Sequence, residues 1–234
     1  MPLDLASVYG VRETALPDEF VSTLPANDAP APWSVHASAV VWWSKATPAT
    51  AAALPPSLRE SARPVVVIGG MVRYADTPVG EYDEVFGVLG YRDGLRFGAT
   101  IPFMAVDSPT SLVGGRGNWA IPKTLASFSG APAQDHSFVA TNATGLDWKV
   151  AATVHAKGPR LPVFSRARVA QEFPDGSLRG TRLKARGRMR LAGIDVEVTS
   201  EADLPSWLVP GRHRGALITD TSFELGAPRV TPAR

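Results

Sequence analysis

The sequence of 234 residues contains no cysteine, which excludes disulfides, thiolate metal ligands and cysteine nucleophiles together. Its four histidines are too widely spaced to indicate a metal site, and we expect none. Long apolar runs are also missing, since the longest, 37–43 and 65–72, are far shorter than the roughly 20 residues of a membrane-spanning helix. We therefore expect no membrane partner. The first ten residues lack the basic and apolar stretches of a secretory signal, which favours a cytoplasmic location.

An excess of charge of either sign is absent too. The 24 basic and 22 acidic residues leave a net charge of +2, and only the alternating basic row in 182–190 resembles a phosphate-binding strip. A turn at Ala192-Gly193 would place this row opposite alternate acids in 195–203, and opposite charges facing across strands stabilise a hairpin. The sequence therefore predicts an internally neutralised row and no nucleic-acid partner.

The remaining patterns favour a fold rich in β-strands. Segments that combine β-branched or aromatic residues with flanking turn signals are typical of strands; they are 34–43, 64–72, 84–91, 95–106, 138–143 and 148–156. Turn signals at 92–94, 143–145 and 174–177 predict hairpin loops. Helix starts are limited to Thr47-Pro48 and Ser108-Pro109. We predict a mostly β fold, an antiparallel barrel or sandwich with a few short helices.

Proline distribution divides the chain into two predicted segments. Residues 1–32 carry scattered prolines and few periodic apolar positions, which indicates an extended N-terminal lead-in. Residues 33–234 are expected to form a single β domain, because their length suffices to bury one core.

The lysine at position 123 is the best indication of function. Only five lysines occur in the chain, and Lys123 follows a proline within Gly-Gly-Arg-Gly-Asn-Trp-Ala-Ile-Pro-Lys-Thr-Leu-Ala, residues 114–126. Removing an ammonium group from water can lower its pKa by several units, and the neutral amine can then attack a ketone. The protonated imine that results withdraws electrons from adjacent carbons. A surface lysine with its stem on apolar neighbours is the ordinary alternative.

The segment resembles the acetoacetate decarboxylase family. The matching residues are Gly115, Arg116, Pro122, Lys123 and Leu125, and further matches are Leu-Pro-Pro-Ser-Leu at 54–58 and Tyr-Asp-Glu at 82–84. The resemblance implies an antiparallel conical β-barrel, a small-molecule keto acid as substrate, no cofactor and a homo-oligomer.

The resemblance also assigns candidate site residues. It implies that Lys123 forms the imine and that Glu84 orients the substrate or moves a proton. Arg116 is a candidate for binding a substrate carboxylate, and equally for holding the loop together through backbone carbonyls. His36 aligns with a pocket arginine of the family, and Trp119 supplies apolar cover as a candidate substrate contact.

One departure from the family pattern keeps the reaction open. Thr124 stands where the decarboxylases have a second lysine, whose charge helps to lower the pKa of the first. Decarboxylation is the default reaction by resemblance. An imine-dependent aldolase, dehydratase or cyclase acting on pyruvate-like compounds is the alternative, and a non-catalytic barrel that binds an apolar small molecule is a third.

Overall fold

Strands account for most of the chain in the computed structural model, which describes residues 4–230. The strands are β1 (Trp33–Lys45), β2 (Ala62–Asp76), β3 (Tyr82–Asp93), β4 (Arg96–Val106), β5 (Lys123–Gly130), β6 (Ser137–Asn142), β7 (Trp148–Ala156), β8 (Leu161–Glu172), β9 (Leu178–Ser200), β10 (Gly211–Leu225) and β11 (Arg229–Val230). The α-helices are α1 (Asp18–Val21), α2 (Pro56–Arg59), α3 (Pro109–Trp119) and α4 (Leu204–Trp207), with 3-10 turns at Arg12–Thr14 and Pro48–Ala53. The outer ends of the two predicted segments, residues 1–3 and 231–234, lie outside the described residues.

All eleven strands belong to one sheet. Its main order is β10-β1-β2-β3-β4-β5-β6-β7-β9-β11, β10 pairs again with β9, and β8 pairs with β4 and β9. Most pairings are antiparallel; β4 runs parallel to β5 and to β8. The β4–β5 pair is parallel because α3 crosses over between them. The predicted mostly β class is thus confirmed, whereas closure into a conical barrel stays a prediction.

Local sequence signals identified many of these elements. All six predicted strand segments lie within or next to observed strands, and 148–156 matches β7 at both ends. The three predicted hairpin loops are confirmed by the antiparallel pairs β3–β4, β6–β7 and β8–β9. Thr47 starts the 3-10 turn with a capping box to Thr50. Ser108 caps α3 by accepting a hydrogen bond from Ser111 N, but this helix is longer than the turn or two predicted.

The predicted hairpin around Ala192-Gly193 is wrong. Residues 178–200 form one continuous strand, β9, and Gly193 is absent from the residues with positive φ, so no tight turn forms there. The first half of β9 pairs with β8 and the second half with β7. The acids at 195 and 197 therefore face Thr153 and Ala151 of β7. The basic row is not neutralised in the predicted way, and the argument against phosphate binding that rested on it fails.

The sheet separates two apolar clusters. Along β4, Ala105 packs in a cluster with Trp42 and Trp148, whereas its neighbours Met104 and Val106 pack in the other. Successive strand residues point to opposite faces, so β4 is covered on both sides. The second cluster also contains residues of α3 and of the N-terminal segment, and this is the side on which the candidate site lies.

Within residues 4–230, every helix falls short of the length and apolar character that crossing a membrane requires.

Candidate functional site

Lys123 is positioned by the crossover from β4 through α3 to β5. Helix α3 is capped at its C-terminal end by Ala120, which adopts a left-handed conformation (φ 52°, ψ 34°) and donates its N–H to the Arg116 carbonyl at 3.0 Å. The chain then turns through Ile121 and Pro122, and β5 begins at Lys123, opposite Met104 of β4. The lysine therefore starts a strand directly beneath the helix that precedes it.

The glycines of α3 make room for this arrangement. A Cβ on Gly115 would lie 2.5 Å from Cδ of Lys123, and a Cβ on Gly114 would lie 2.5 Å from the Trp33 ring. Real Cβ atoms do not approach so closely, so side chains at these positions would displace the lysine stem or the tryptophan. Both close approaches occur within helix α3.

The amine of Lys123 forms an ion pair with Glu84 of β3. Nζ lies 2.9 Å from Glu84 Oε2, and both side chains are only 4% exposed. Glu84 lies opposite Val106 in the register of β3 and β4, so the two charged residues occupy neighbouring positions on one face of three adjacent strands. The structure thus brings together the two residues predicted to be catalytic.

Hydroxyl groups complete the surroundings of the pair. The amine also donates to Ser111 Oγ of α3 at 2.9 Å, and the hydroxyl of Tyr74 donates to Glu84 Oε1 at 2.9 Å. The ring of Tyr82 stacks on Tyr74 with centroids 4.3 Å apart and lies 5.0 Å from Nζ. Both carboxylate oxygens and the amine are therefore partnered in a site nearly closed to solvent.

The pKa of Lys123 is not lowered in this state. Burial lowers it, but the charge of Glu84, supported by Tyr82 and by hydrogen bonding, outweighs burial, and the pKa is raised above its usual value. Burial and the nearby Glu84 carboxylate also raise the pKa of Tyr74 well above its usual value. Burial alone therefore does not set the state of this amine: the Glu84 carboxylate favours its ammonium form, and a proton must pass from it before it can attack.

Arg116 holds the backbone around the lysine. Its side chain is fully buried, and Nε donates to the Lys123 carbonyl at 2.7 Å, while the other two nitrogens donate to the carbonyls of Leu5 and Thr14. Burial lowers the pKa of Arg116 to about 10. Of the two roles considered from sequence, this geometry supports the structural one, because the guanidinium faces protein carbonyls and not an open cavity.

The other two predicted substrate contacts are not next to the amine. His36 is half-exposed on β1, with Nδ1 3.3 Å from Ser222 Oγ and Nε2 3.4 Å from Asp220. Trp119 is buried at the end of α3, donates to the Gly226 carbonyl at 2.7 Å and packs edge-on against Trp33. Trp119 therefore fastens the C-terminal segment, and a role of either residue in substrate binding stays a prediction.

Thr124, which stands in place of the second lysine of the family pattern, lies away from the amine. It is buried, and its hydroxyl lies 3.1 Å from that of Thr144. Because side chains alternate along a strand, Thr124 points to the face of β5 opposite Lys123. The nearest charged group to the amine is therefore the Glu84 carboxylate.

Sequence reasoning missed three polar residues of the site. Ser111 and Tyr74 contact the charged pair directly, and Gln171 of β8 donates to the carbonyls of Ile101 and Ala120, which braces the turn before the lysine. Only Ser111 carried a signal, since it follows the predicted helix cap by three residues. Among residues 4–230, no group of three or more histidine, aspartate or glutamate side chains is placed to hold a metal ion.

Fold and site together define a mostly β protein with a buried lysine–carboxylate pair. The family model "Acetoacetate decarboxylase (ADC)" matches residues 21–179, and the chain belongs to this family. No curated protein matches the sequence significantly.

Several solved structures share the fold of this chain. The chain is similar to an acetoacetate decarboxylase from Legionella pneumophila subsp. pneumophila, with 19% identity, a TM-score of 0.66 and 98% of each chain covered. It is also similar to the enduracididine biosynthesis enzyme MppR complexed with the condensation product of pyruvate and imidazole 4-carboxaldehyde, with 15% identity, a TM-score of 0.63 and 88% and 91% covered. An acetoacetate decarboxylase-like enzyme from Sphingomonas wittichii RW1 shows 15% identity and a TM-score of 0.62, with 89% and 96% covered.

Proposed function

We propose that this protein is a lyase that forms a Schiff base between Lys123 and the keto group of a keto acid. The observation that carries the proposal is the amine of Lys123, held 2.9 Å from both Glu84 and Ser111 in a nearly dry site. Burying a charged amine costs free energy even when a carboxylate pairs with it. Buried ionisable groups of this kind therefore cluster at functional sites.

The residues present are sufficient for imine chemistry. Glu84 is within reach to accept a proton from the ammonium, after which Nζ attacks the keto carbon and the carbinolamine loses water to form the iminium ion. In the decarboxylase reaction, the bond to the carboxylate carbon then breaks, carbon dioxide leaves and the electron pair forms an enamine. The proton that Glu84 first accepted leaves with the water of the carbinolamine, so Glu84 takes up a proton from solvent and gives it to the enamine carbon. Hydrolysis of the new iminium ion releases the ketone and restores the amine.

A second reaction class is favoured by three observations. Thr124 stands where the decarboxylases of the family have a second lysine, so the amine lacks that cation, and the Tyr74–Glu84 hydrogen bond offers a proton relay next to the imine position. MppR, a structural neighbour, was solved with a pyruvate-derived condensation product. An aldolase, dehydratase or cyclase acting on pyruvate-like compounds would use these groups to move protons at the carbon next to the imine.

Borohydride trapping tests the proposal. The protein is incubated with a panel of 2-oxo and 3-oxo acids and reduced, and the adduct is located by mass spectrometry. Labelling is expected on Lys123 and is expected to vanish in Lys123→Ala, while Lys149→Ala, which removes a half-exposed lysine, remains labelled. Carbon dioxide release by unreduced protein then separates decarboxylation from aldol-type chemistry.

Absence of labelling in this experiment would count against imine catalysis. If no acid of the panel labels Lys123 although the protein is folded, imine catalysis is excluded for these substrates and the non-catalytic small-molecule binder becomes the better description.

Self-association and a cytoplasmic location stay predictions. The β3–β4 hairpin exposes Leu95 and Phe97, at 92% and 77%, and exposed apolar side chains of this kind are typical of contact surfaces between subunits. Light scattering of the purified chain, compared with Leu95→Ser/Phe97→Ser, tests whether this hairpin joins copies of the protein.

A further inference from the structure

A row of basic residues lies on the solvent face of β9. Between residues 182 and 189 exposed positions alternate with half-buried ones, because successive side chains point to opposite faces of a sheet. Ala185, on the half-buried side, is paired with Phe223, whose ring contacts Tyr74 beside the candidate catalytic site. The other face therefore carries a separate feature. All its exposed positions in this stretch are basic, and we call them the β9 row: Arg182, Lys184, Arg186 and Arg188.

The β9 row runs along a wide groove. The groove crosses β8, β9, β10, β1 and β2 and has a volume of about 1340 Å³, above the roughly 300–1,000 Å³ that is usual for small-ligand pockets. Lys184 and Arg186 line it together with Arg166 of β8, which lies directly opposite Lys184. Like charges that face each other across strands are destabilising, so keeping these cations together lowers stability unless an anion joins them.

The carboxylates of the described chain leave these cations unpaired. Between residues 4 and 230, no carboxylate lies within 4.0 Å of the β9 row or of Arg166. Glu224 and Asp76 also line the groove, but they belong to β10 and β2, on one side of the row. A negatively charged chain therefore meets the least repulsion along β9 itself.

The spacing of the row decides which kind of anion fits it. Alternate residues of a strand are about 7 Å apart, so the cations of the row extend over about 20 Å. A compact anion such as phosphate cannot reach all of them. A chain that carries a negative charge on every repeat can, and each phosphate neutralised by a cation releases counterions, which favours binding.

An exposed aromatic ring lies beside the row. Phe164 of β8 is 81% exposed, lies directly opposite Arg186 and lines the same groove. Direct strand partners share one face of a sheet, so the ring and the cations face the same ligand. An exposed ring next to cations is suited to stack an unpaired base. The bases of a duplex are already stacked on one another, and a membrane surface is flat and does not enter a groove.

We propose that this groove binds single-stranded nucleic acid, with phosphates along the β9 row and a base stacked on Phe164. The site is separate from Lys123 and does not depend on imine chemistry. It replaces the expectation of no nucleic-acid partner, which rested on a hairpin that does not form.

Fluorescence anisotropy with a labelled oligothymidylate of about 12 nucleotides, within the range of single-strand site sizes, tests the proposal. The slope of log K against log salt concentration should be about −3 for the wild type, since each neutralised phosphate of a single strand contributes about −0.7. Arg182→Gln/Lys184→Gln/Arg186→Gln/Arg188→Gln should weaken binding about tenfold or more and remove most of this slope. Circular dichroism checks that the variants are folded.

A control variant carries the same change of net charge outside the groove. It replaces exposed basic residues that do not line the groove, as Lys45→Gln/Arg63→Gln/Arg96→Gln/Lys157→Gln. Both variants lower the net charge of +2 by the same amount, so only the position of the lost cations differs. The control should bind oligothymidylate like the wild type. Glu224→Gln should tighten binding, because it removes the carboxylate that is the strand partner of Lys184.

Phe164→Ala separates base stacking from charge. It should weaken binding of the single strand about fivefold or more, while the salt slope and the binding of a duplex of equal length stay unchanged. Lys123→Ala should bind oligothymidylate like the wild type. Failure of the proposed catalytic function and failure of this site are therefore distinguishable.

Three results would overturn the proposal. One is the absence of salt-dependent oligothymidylate binding by the wild type, and another is an equal loss of affinity in the row variant and the control variant. The third is binding of the duplex or of polyglutamate as tight as that of the single strand, with no effect of Phe164→Ala, which would make the row a general surface for anions.

Discussion

Lys123 and Arg116 are two buried cations on either side of the turn from α3 to β5, and their surroundings shift their pKa values in opposite directions. Lys123 meets a carboxylate, and its pKa is raised. Arg116 meets only backbone carbonyls, and burial lowers its pKa to about 10. Burial alone therefore does not decide the state of a cation; the partner does. In this turn the arginine stabilises the backbone, and the lysine is the group with a proton acceptor within reach.

Glu84→Gln removes the carboxylate that pairs with Lys123 and that Arg116 lacks. We expect this substitution to cause the largest loss of stability. Loss of one member of a buried ion pair costs about 3–5 kcal/mol, so the free energy of unfolding near pH 7 should fall by about that amount. Without the carboxylate, burial would place the folded-state pKa of Lys123 below its unfolded value. The unfolded chain then binds more protons between the two values, and stability rises with pH there.

In the wild type, Lys123 should not make the free energy of unfolding rise with pH. Its raised pKa means that the stabilisation is complete below the usual lysine pKa and is lost only as the pH rises through the higher folded value. Urea unfolding at several pH values between about 7 and 10 compares the slopes. Lys123→Met/Glu84→Gln is the control, since it removes the titrating amine. Equal slopes in the wild type and in Glu84→Gln would show that the carboxylate does not set the lysine pKa.

Arg116→Met tests the other half of the comparison. Three carbonyls lose their donor, at about 1 kcal/mol each, so the free energy of unfolding should fall by about 3 kcal/mol in denaturant titrations. Arg188→Met, at an exposed position of β9, should change it little. An unchanged stability combined with weaker keto-acid binding would instead support the carboxylate-binding role for Arg116.

Gly115→Ala should disturb the lysine more than the fold. The added Cβ would lie 2.5 Å from Cδ of Lys123, and overpacking of this kind costs about 1–3 kcal/mol. Trapping on Lys123 should slow by about tenfold because the amine is displaced from Glu84. Gly117→Ala is the matched control, since its Cβ meets only the end of the Asn27 side chain at 3.0 Å. Similar trapping rates in the two variants would contradict this account.

Tyr74→Phe should have the smallest effect. It removes the donor to Glu84 Oε1, and the loss of one hydrogen bond to a carboxylate should lower stability by about 1–3 kcal/mol. If Tyr74 relays protons, the rate of product release after imine formation should fall more than the rate of trapping. Single-turnover kinetics separates these two rates, and parallel changes would remove the relay from the mechanism.

The sequence predicted those parts of the fold and site that depend on local signals. Hairpin loops such as 92–94 and the helix start at Ser108 are encoded by neighbouring residues, and the motif around Lys123 identified the lysine and, through the family, Glu84. The hairpin at Ala192-Gly193 failed because β9 pairs with four different strands along its length. Alternating charges cannot reveal which strand lies opposite, since the partners are distant in sequence.

Distance in sequence also hid part of the site. Tyr74 comes to Glu84 only through the register of β2 and β3, and Gln171 reaches the turn before Lys123 from β8. The sign of the lysine pKa shift depends on one 2.9 Å contact between residues 39 positions apart. No local pattern specifies such a contact.

The hydrogen bonds of Arg116 carry a consequence for how the protein is made. They join the arginine to carbonyls 111 and 102 residues earlier in the chain, and closing loops of that length costs entropy that must be met by contacts formed beforehand. The N-terminal segment leaves the ribosome first and yet is fixed only after α3 and β5 exist. Competence to form an imine would therefore arise late in folding, when the two ends of this long loop have met.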